Sequence, residues 1–590
     1  MMQAHHVWGD QLLIVLLSMV PGLPLVMAFC LLYSPLRRFS LKLAPWTALT
    51  AVLASLLIHS EINLEVSWFF MGGRMGLDTT GRTFLLFTGL IWLISGLFGK
   101  EYLDGKGANS TSHNFYFFYL IAMCGNFGLI IAQEILGFYL FFGLMSFAAY
   151  GLIVHNKSDE AWRAGRIYII LVMISEVLLI SALFLLVSKS ESMQLSDVGK
   201  VIPSNITFLL IFLGFGIKAG ALPFHFWLPL AHPVAPAPAS AVLSGAMIKA
   251  GLLGWLRFLP LGQASLLPEW WGYLFVIMGM LAAFYAVFVG ILQENPKTIL
   301  AYSSISQMGL MTTIVGCGLL VPGNRSLVVG AVTIYALQHG LAKAALFLGT
   351  GMVYHVRGRC HKPSWWFWMG LTIPCLALSG LPLTGGFLAK QGFKELVYFV
   401  PPVTAQWLSI LLPLAAGGTA LLLCYFYLKI KLLAEEQCDA VGFYGLWWIV
   451  MLLMALGLPW IWPLETVIDR SLPTMGEVAG ALGPLFIGVL IGLFWGLRLW
   501  KRTRYNIPAG DIVVLFSCFN GQWHGKSSLL FISKFQNLLK VGVKRYLPLS
   551  IEKIYMAVKH FENLMKRWTV VGSCYAVLLC ILLLMLTYFQ

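Results

Sequence analysis

Residues 214–258 read GFGIKAGALPFHFWLPLAHPVAPAPASAVLSGAMIKAGLLGWLRF, two apolar segments that flank a proline-rich centre. Each segment carries one lysine, Lys218 in the first and Lys249 in the second. A lysine at membrane depth is costly, so it usually faces the protein interior or a wet cavity and has a function. The centre contains two histidines and five prolines, His225, His232, Pro223, Pro229, Pro233, Pro236 and Pro238. Since prolines free backbone carbonyls in an apolar helix, the stretch predicts a broken helix beside titratable groups, as in many transporters.

The composition places the chain among helical membrane proteins. It has 590 residues, of which 59% are hydrophobic and 11% are charged, and its mean hydropathy is +0.82. A soluble protein of this size needs more charge on its surface. A transmembrane barrel has short alternating segments, whereas this chain has long apolar runs. We therefore expect an all-α polytopic membrane protein.

The net charge of +15 does not indicate nucleic-acid binding, because the basic residues flank apolar runs in short loops and near the C-terminus. That placement indicates membrane topology and contact with anionic lipids. The ten cysteines include no CxxC pair, which argues against iron–sulfur and structural zinc sites. Gly525-Lys526-Ser527 lacks the preceding glycine of a phosphate-binding loop. The histidines are not placed as haem-ligand pairs, so we expect no cofactor.

About sixteen apolar runs are long enough to cross a bilayer. They lie near 11–33, 43–60, 82–98, 114–132, 134–154, 166–188, 206–231, 239–258, 268–292, 298–321, 327–354, 366–393, 405–432, 443–463, 479–500 and 568–588. The first has no signal-peptide cleavage pattern and is expected to be a retained span.

Loop charges predict the orientation. One alternate set of loops is basic, and it contains Arg37, Arg38, Lys42, Lys157, Arg163, Arg166, Arg357, Arg359 and Lys362. In the other set, the loop 61–78 holds only Arg74 and the loop 322–326 holds only Arg325. The positive-inside rule then predicts a multi-pass protein of the inner (cytoplasmic) membrane with its N-terminus outside. An even number of spans returns the C-terminus to the same side.

Residues 501–567 form the one long polar stretch before the last predicted span, 568–590. Its basic residues alternate with apolar ones at roughly helical spacing, which predicts an amphipathic helix on the cytoplasmic face. A solvated basic linker is the alternative. These basic residues include Lys534, Lys540, Lys544, Arg545, Lys553, Lys559, Lys566 and Arg567.

Several ionisable residues lie inside predicted spans and are candidates for a proton path. They are Glu176, Lys218, Lys249, His339, Lys343 and Lys390, to which the broken segment adds His225. His339 and Lys343 are four residues apart and share a helix face. Pro382, Gly385 and Gly386 predict a second interrupted helix beside Lys390. The two similar broken segments indicate an internal repeat.

Each of these residues also has a structural explanation. Lys249 and Lys343 could extend to the membrane surface from helix ends, His339 could be a satisfied interior histidine, and Glu176 could pair for stability alone. A single explanation for the whole set is a proton relay. Desolvation disfavours the charged form of a buried lysine and a nearby carboxylate favours it, so a change in their separation makes the lysine hold or release a proton.

Four motifs together resemble one family. They are KAGALPFHFWLPLAHPVAPAPASAVLSGAMIKAG (218–251), NPKTILAYSSISQMG (295–309), HGLAKAALFLGTG (339–351) and LPLTGGFLAKQGF (381–393). They closely resemble the antiporter-like membrane subunits of respiratory complex I, Mrp antiporters and energy-converting nickel–iron hydrogenases. The resemblance covers roughly 110–432, and the C-terminal extension looks most like the hydrogenase-associated branch.

The resemblance implies two inverted five-helix half-channels joined by a polar axis. Lys218 would then be the lysine of the first half-channel, Lys249 the link toward the centre and Lys390 the exit residue. His339 and Lys343 would belong to the central path. The implied domains are N-terminal spans (1–110), two half-channels (111–260 and 261–432), additional spans (433–500), the basic amphipathic segment (501–567) and the final span (568–590).

One position departs from the family pattern. The family has a glutamate in its fifth span, in a pattern like FYxFWExMSxxSY, that pairs with the lysine of the seventh span. This chain reads FYLFFGLMSFAAY over 138–150, so Gly143 occupies the glutamate position. We hypothesise that Glu176 in the next span supplies the missing carboxylate, with Glu134 as a second candidate.

The sequence therefore predicts proton or cation translocation by one subunit of a larger energy-coupling complex. The expected partners are other membrane subunits, a peripheral energy-supplying module, membrane lipids and the transported H⁺ or Na⁺, with no nucleic acid. Two alternatives stay open: an ion-conducting partner in an inorganic-carbon uptake complex, and a structural anchor that has lost transport. The chain alone is not expected to be an enzyme.

Overall fold

The computed structural model describes residues 2–58, 63–66, 73–104, 112–263, 268–354, 365–436, 445–463 and 473–499. Helices account for nearly all of these residues. The α-helices are α1 Met2–Leu32, α2 Arg37–Leu43, α3 Leu49–Leu57, α4 Thr79–Asp104, α5 Ser112–Ile131, α6 Ile135–Ile153, α7 Asp159–Ser190, α8 Leu195–Val198, α9 Asn205–Ala219, α10 Trp227–Val234, α11 Ala237–Val242, α12 Lys249–Phe258, α13 Trp270–Gly290, α14 Pro296–Leu320, α15 Arg325–Tyr354, α16 Trp365–Ser379, α17 Gly385–Val397, α18 Pro402–Glu436, α19 Gly445–Ile461 and α20 Met475–Leu499.

Thirteen helical segments among the described residues are long and apolar enough to cross a membrane. This confirms an all-helical polytopic membrane protein. Two further predicted spans coincide with shorter apolar elements: 443–463 with α19, and 366–393 with α16 followed by α17. The predicted single span 366–393 is therefore two short helices. The predicted amphipathic segment 501–567 and final span lie outside the described residues.

Burial follows the pattern of a protein dissolved in lipid. The most apolar windows of α14 and α15 are entirely buried, whereas the corresponding window of α20 is only 17% buried. Exposed large apolar side chains cover the outer faces of α1, α18 and α20. Inner helices therefore carry the polar groups, and outer helices present apolar surface to lipid or to neighbouring subunits.

Glycines bring α13 and α14 into backbone contact. A Cβ atom added at Gly279 would lie 2.5 Å from the carbonyl oxygen of Gly309, and one at Gly309 would lie 2.5 Å from that of Gly279. Both distances are too short for a side chain. Small residues allow membrane helices to pack this closely, which gains van der Waals contact where no hydrophobic effect operates between helices.

The structure confirms both predicted helix breaks, and both begin at a glycine. Gly220 ends α9 with φ +71°, and Gly380 follows α16 with φ +93°, conformations that glycine adopts without steric cost. In each, the next amide donates to the carbonyl five residues earlier, at 2.9 and 3.0 Å. These are C-terminal Schellman caps. The chain then resumes as a short 3₁₀ turn, Phe224–Phe226, and α10 in the first break, and as α17 in the second.

A third candidate span, Ala237–Phe258, is also interrupted. A π-helical turn, Leu243–Met247, lies between α11 and α12, just before Lys249. In a regular α-helix, the amide of Ile248 would donate to the carbonyl of Ser244, four residues earlier. Here it donates to the carbonyl of Leu243, five residues earlier, at 3.2 Å. The Ser244 carbonyl is thereby released for another donor. π-turns of this kind occur frequently at functional sites.

Arg257 connects the end of α12 to two other elements. Its guanidinium donates to the carbonyls of Ile130 and Ala132 at the end of α5, both at 2.5 Å, and pairs with Asp78 at 3.3 Å. Asp78 directly follows a short antiparallel hairpin, β1 Asn63–Val66 and β2 Gly73–Gly76. Since Lys249 lies two turns before Arg257 on the same helix, this junction fixes the height of Lys249 in the bundle.

Candidate functional site

Glu176 and Lys218 lie together in the first half of the predicted path. Both are buried, with 4% and 3% of their surface exposed, and their charges interact electrostatically. They form no ion pair among the contacts of the described residues, because Lys218 Nζ instead donates to the hydroxyl of Tyr168 at 3.0 Å. Glu176 Oε1 is buried without a hydrogen-bond partner in the described part of the chain. The carboxylate of Glu176 and the amine of Lys218 therefore interact electrostatically without forming a direct ion pair.

The Glu176 carboxylate also lies against Gly143. A Cβ atom added at Gly143 would be 3.5 Å from Glu176 Oε2, an ordinary van der Waals distance. The carboxylate from α7 thus occupies the space that a side chain at position 143 on α6 would enter.

Glu134 is placed elsewhere. It precedes the first residue of α6, and its Oε1 lies against Gly137, 2.9 Å from where a Cβ at that glycine would be. Burial raises the pKa of Glu134 to about 7, and the amide of Gly137 partly opposes this. None of its contacts involves Lys218, so the geometry favours Glu176 as that lysine's carboxylate neighbour.

Lys249 and His339 form the centre of the site. Lys249 Nζ lies 2.7 Å from His339 Nδ1 and donates to the released carbonyl of Ser244 at 2.6 Å. Neither residue has any exposed surface. His339 Nε2 has no hydrogen-bond partner among the described residues. An amine from α12 and an imidazole from α15, 90 positions apart in the chain, are therefore in direct contact.

Lys343 is also fully buried, one turn after His339, and its Nζ donates to the carbonyl of Leu300 on α14 at 2.9 Å. Full burial of Lys249 and Lys343 excludes the alternative in which these lysines extend to the membrane surface.

Two further residues belong to this centre that were not among the predicted path residues. Lys297, at the start of α14, is buried and donates to the carbonyl of Ala235 at 2.8 Å. The ring of His232 stacks on Phe347 at 4.5 Å, and neither of its nitrogens has a partner among the described residues. His232 interacts electrostatically with Lys343, Lys297 and Lys249. The centre thus contains three lysines and two histidines.

His225 lies in the 3₁₀ turn of the first break and has no exposed surface. Its ring packs edge-on against Tyr285 of α13, with 5.3 Å between the ring centroids. The structure therefore places His225 at the first helix break, against α13.

Lys390 is the one predicted lysine that is not enclosed. It is partly buried, and its Nζ donates to the carbonyl of Ser379, the last residue of α16, at 2.5 Å. It lines a cavity of about 360 Å³ that also borders Tyr335, Gln391 and Glu477. A cation at a helix C-terminus is favoured by the helix dipole. Helix α20, which lies beyond the four motifs, forms one wall of this cavity through Gly476, Gly480 and Pro484.

Known proteins resemble this chain in sequence and in fold. Residues 132–411 match the family model described as NADH:quinone oxidoreductase/Mrp antiporter, transmembrane region. The match covers 280 of the 590 residues, and over this region the chain is similar to that family. The match contains Gly143 and every candidate residue of the path, from Glu176 to Lys390.

Curated relatives extend the match at moderate identity. The chain is 28% identical to hydrogenase-4 component B of Escherichia coli (strain K12) over 441 residues, which cover 69% of this chain and 64% of the relative. It is 28% identical to the putative antiporter subunit mnhA2 of Staphylococcus aureus over 413 residues, 63% of this chain and 50% of the relative. The matched region therefore spans less than two thirds of each relative's own length.

Two solved structures share the fold. A chain of the Mrp complex from Dietzia sp. DQ12-45-1b superposes with a TM-score of 0.66 at 20% identity, covering 91% of this chain and 63% of that chain. A chain of the archaeal membrane-bound sulfane sulfur reductase superposes with a TM-score of 0.57 at 20% identity, covering 82% and 96%. The first of these chains comes from a complex, and the second from an archaeal respiratory membrane complex.

Proposed function

We propose that this chain translocates protons across a membrane through buried lysine, histidine and glutamate side chains and water. It does so as one subunit of a larger energy-coupling complex. The observation that carries the proposal is the contact of 2.7 Å between Lys249 Nζ and His339 Nδ1 at the centre of the bundle. Two titratable groups in direct hydrogen-bond contact, both shielded from bulk water, can exchange a proton without crossing an open gap.

The Lys249–His339 pair can hold one proton in two ways. When Lys249 donates, Nδ1 of the imidazole is the acceptor and the ring proton resides on Nε2. When the imidazole is fully protonated, Nδ1 donates to a neutral amine. Nε2 faces no protein partner among the described residues, so a water molecule at that nitrogen can carry the proton onward.

Other unpartnered polar atoms support a hydrated route through the second half. The hydroxyls of Ser303 on α14 and Thr333 on α15 are buried without partners in the described part of the chain, as is the side-chain amide of Gln338 beside His339. Buried polar atoms of this kind are normally satisfied by ordered water. In the proposed route, the proton moves from Lys218 to the Lys249–His339 pair, then past Lys343 to Lys390 and its cavity.

Glu176 is proposed to perform the task of the family glutamate that Gly143 lacks. Its carboxylate lies beside Gly143, its charge interacts with that of Lys218, and one of its oxygens is free to accept a hydrogen bond. This observation favours transport over the alternative in which the subunit is only an anchor.

The proposed partners follow from the names of the relatives. A hydrogenase component, an antiporter subunit and chains of two membrane complexes are similar to this chain. We propose that neighbouring membrane subunits and a peripheral module supply its energy. Within this proposal, 111–260 and 261–432 are the two half-channels of a protein in the cytoplasmic membrane, with its N-terminus outside.

Reconstitution of the purified complex tests the function. Proteoliposomes with a pH-sensitive dye inside and a potassium diffusion potential are expected to show proton movement above that of protein-free vesicles. Movement that persists when choline replaces sodium assigns the ion as H⁺. A strict sodium requirement would assign Na⁺ instead, and absence of any movement above background would support the anchor and overturn the proposal.

A further inference from the structure

Tyr168 contacts Lys218 directly and is buried in the centre of the first half. It lies on α7, and only 1% of its surface is exposed. Its hydroxyl donates to the carbonyl of Ser146 on α6 at 2.9 Å and accepts from Lys218 Nζ at 3.0 Å. A phenol has a single proton. Because that proton is used on the Ser146 carbonyl, the lone pairs of the oxygen are left for the lysine.

The aromatic ring holds the same position by packing. The Tyr168 ring lies 5.1 Å from that of Trp227, and Lys218 Nζ is 5.5 Å from the centroid of the Tyr168 ring, within the range of a cation–π contact. The indole of Trp227 donates to the carbonyl of Ile217 at 2.8 Å, one residue before Lys218. Tyr168, Trp227 and the last turn of α9 therefore form one cluster at the helix break.

Lys218 thus has two possible partners on α7 of different chemistry. The Tyr168 hydroxyl is a neutral acceptor that can hold the amine in either protonation state, whereas the Glu176 carboxylate attracts only the ammonium. The lysine contacts the first and not the second. A direct ion pair in this dry environment would favour retention of the proton.

We propose that Tyr168 is a positioning residue, which holds Lys218 at the helix break and out of ion-pair contact with Glu176 so that the lysine can release its proton. This rests on the proposed function of Lys218 in proton transfer. Unlike the acidic and basic residues of the path, Tyr168 does not carry the proton itself. It contributes a neutral hydrogen-bond acceptor at a fixed position.

The test compares Tyr168→Phe with a matched control in the purified complex. Phenylalanine keeps the ring against Trp227 and removes only the hydroxyl. Tyr116→Phe is the control, because the buried Tyr116 hydroxyl also donates to a helix carbonyl, that of Gly96 at 2.8 Å, whereas the hydroxyl to which Lys218 donates is that of Tyr168. We expect proton flux to fall about tenfold in Tyr168→Phe, the size of a hydrogen bond to a charged group, and to stay within about twofold of wild type in the control.

A double-variant comparison separates positioning from simple damage to packing. If Tyr168 acts by keeping Lys218 away from Glu176, Tyr168→Phe should have little further effect once Glu176→Gln has removed the carboxylate. Flux of the double variant within about twofold of Glu176→Gln alone is the expected result. A further drop of about tenfold, as for independent effects, would overturn the proposal.

The side-chain position provides a readout that does not depend on transport. A structure of the Tyr168→Phe complex is expected to show Lys218 Nζ within about 4 Å of a Glu176 carboxylate oxygen, the range of an ion pair. A lysine that stays at its wild-type position would overturn the proposal. If the wild-type complex moves no protons, the proposed function fails, yet this structural comparison still decides whether Tyr168 positions Lys218.

Discussion

The carboxylate of Glu176 can be moved from α7 to α6 because Gly143 lies directly beside it. A glutamate carries its carboxylate oxygens about 3.5 Å beyond its own Cβ, a reach that follows from standard bond lengths. The Cβ position of Gly143 is 3.5 Å from Glu176 Oε2. The double variant Gly143→Glu/Glu176→Ala should therefore place a carboxylate oxygen where Glu176 now has one.

The size of the effect follows from Coulomb's law. Two unit charges about 5 Å apart, at an effective dielectric constant of about 20, attract by about 3 kcal/mol. Since 1.4 kcal/mol corresponds to a factor of ten, removal of the carboxylate can change a proton-transfer equilibrium by about a hundredfold. We expect Glu176→Gln to lower proton flux by about ten- to a hundredfold, and the double variant to recover it to within about threefold of wild type.

Proton flux into proteoliposomes that contain the whole complex is the assay. Glu134→Gln is the matched control, because Glu134 is the other buried carboxylate near α6 and lies against Gly137. Its flux should stay within about twofold of wild type. Unchanged flux in Glu176→Gln would refute the reasoning, and so would a double variant that is no better than Glu176→Gln while it assembles normally.

Three further predictions concern stability and topology. Arg257→Ala should lower the stability of the complex by about 2–3 kcal/mol, because charged hydrogen bonds to two helix carbonyls are lost, and Arg257→Lys should not restore it; an unchanged melting temperature in Arg257→Ala would contradict this. Because burial raises the pKa of Glu134 from 4.5 to about 7, the folded state keeps a proton that the unfolded chain has lost between these values. Its contribution to stability is present below about pH 4.5 and is lost as the pH rises through 7, so melting temperatures measured from pH 5 to 8 should fall less in Glu134→Gln than in wild type; equal slopes would count against it. A reporter enzyme that is active only outside the cytoplasm should be active when fused to the N-terminus, and activity of a cytoplasmic reporter there would reverse the predicted orientation.

The sequence predicted the elements of the fold because their causes are local. Long apolar runs can be recognised without any tertiary contact, and the helix breaks at Gly220 and Gly380 are encoded by adjacent proline and glycine residues. Buried lysines were recognised for the same reason, since a charged residue in an apolar run stands out by itself.

The pairing of these residues could not be read from the chain. Lys249 and His339 are 90 positions apart, and their contact depends on how α12 and α15 cross. The π-turn before Lys249 has no sequence signal comparable to a proline. Lys297 was overlooked because it follows Pro296 at a helix start, where a lysine normally lies at the membrane surface.

Tyr168 and His232 show a second limit of sequence reasoning. A tyrosine or histidine in an apolar helix is most often part of the packed core, so neither residue type indicates a role alone. Only the contacts distinguish them: a hydroxyl shared between a lysine and a helix carbonyl, and an imidazole within the electrostatic range of three lysines.

Proton flux of the Lys249→Met complex tests the central claim most directly. Methionine keeps the apolar stem of Lys249 and removes the amine that contacts His339. Lys189→Met is the control, because Lys189 is an exposed lysine whose Nζ donates to the carbonyl of Ile202 at 2.7 Å. Proton relay through the centre predicts flux near the protein-free background for Lys249→Met and wild-type flux for Lys189→Met. Wild-type flux in an assembled Lys249→Met complex would contradict the proposed path.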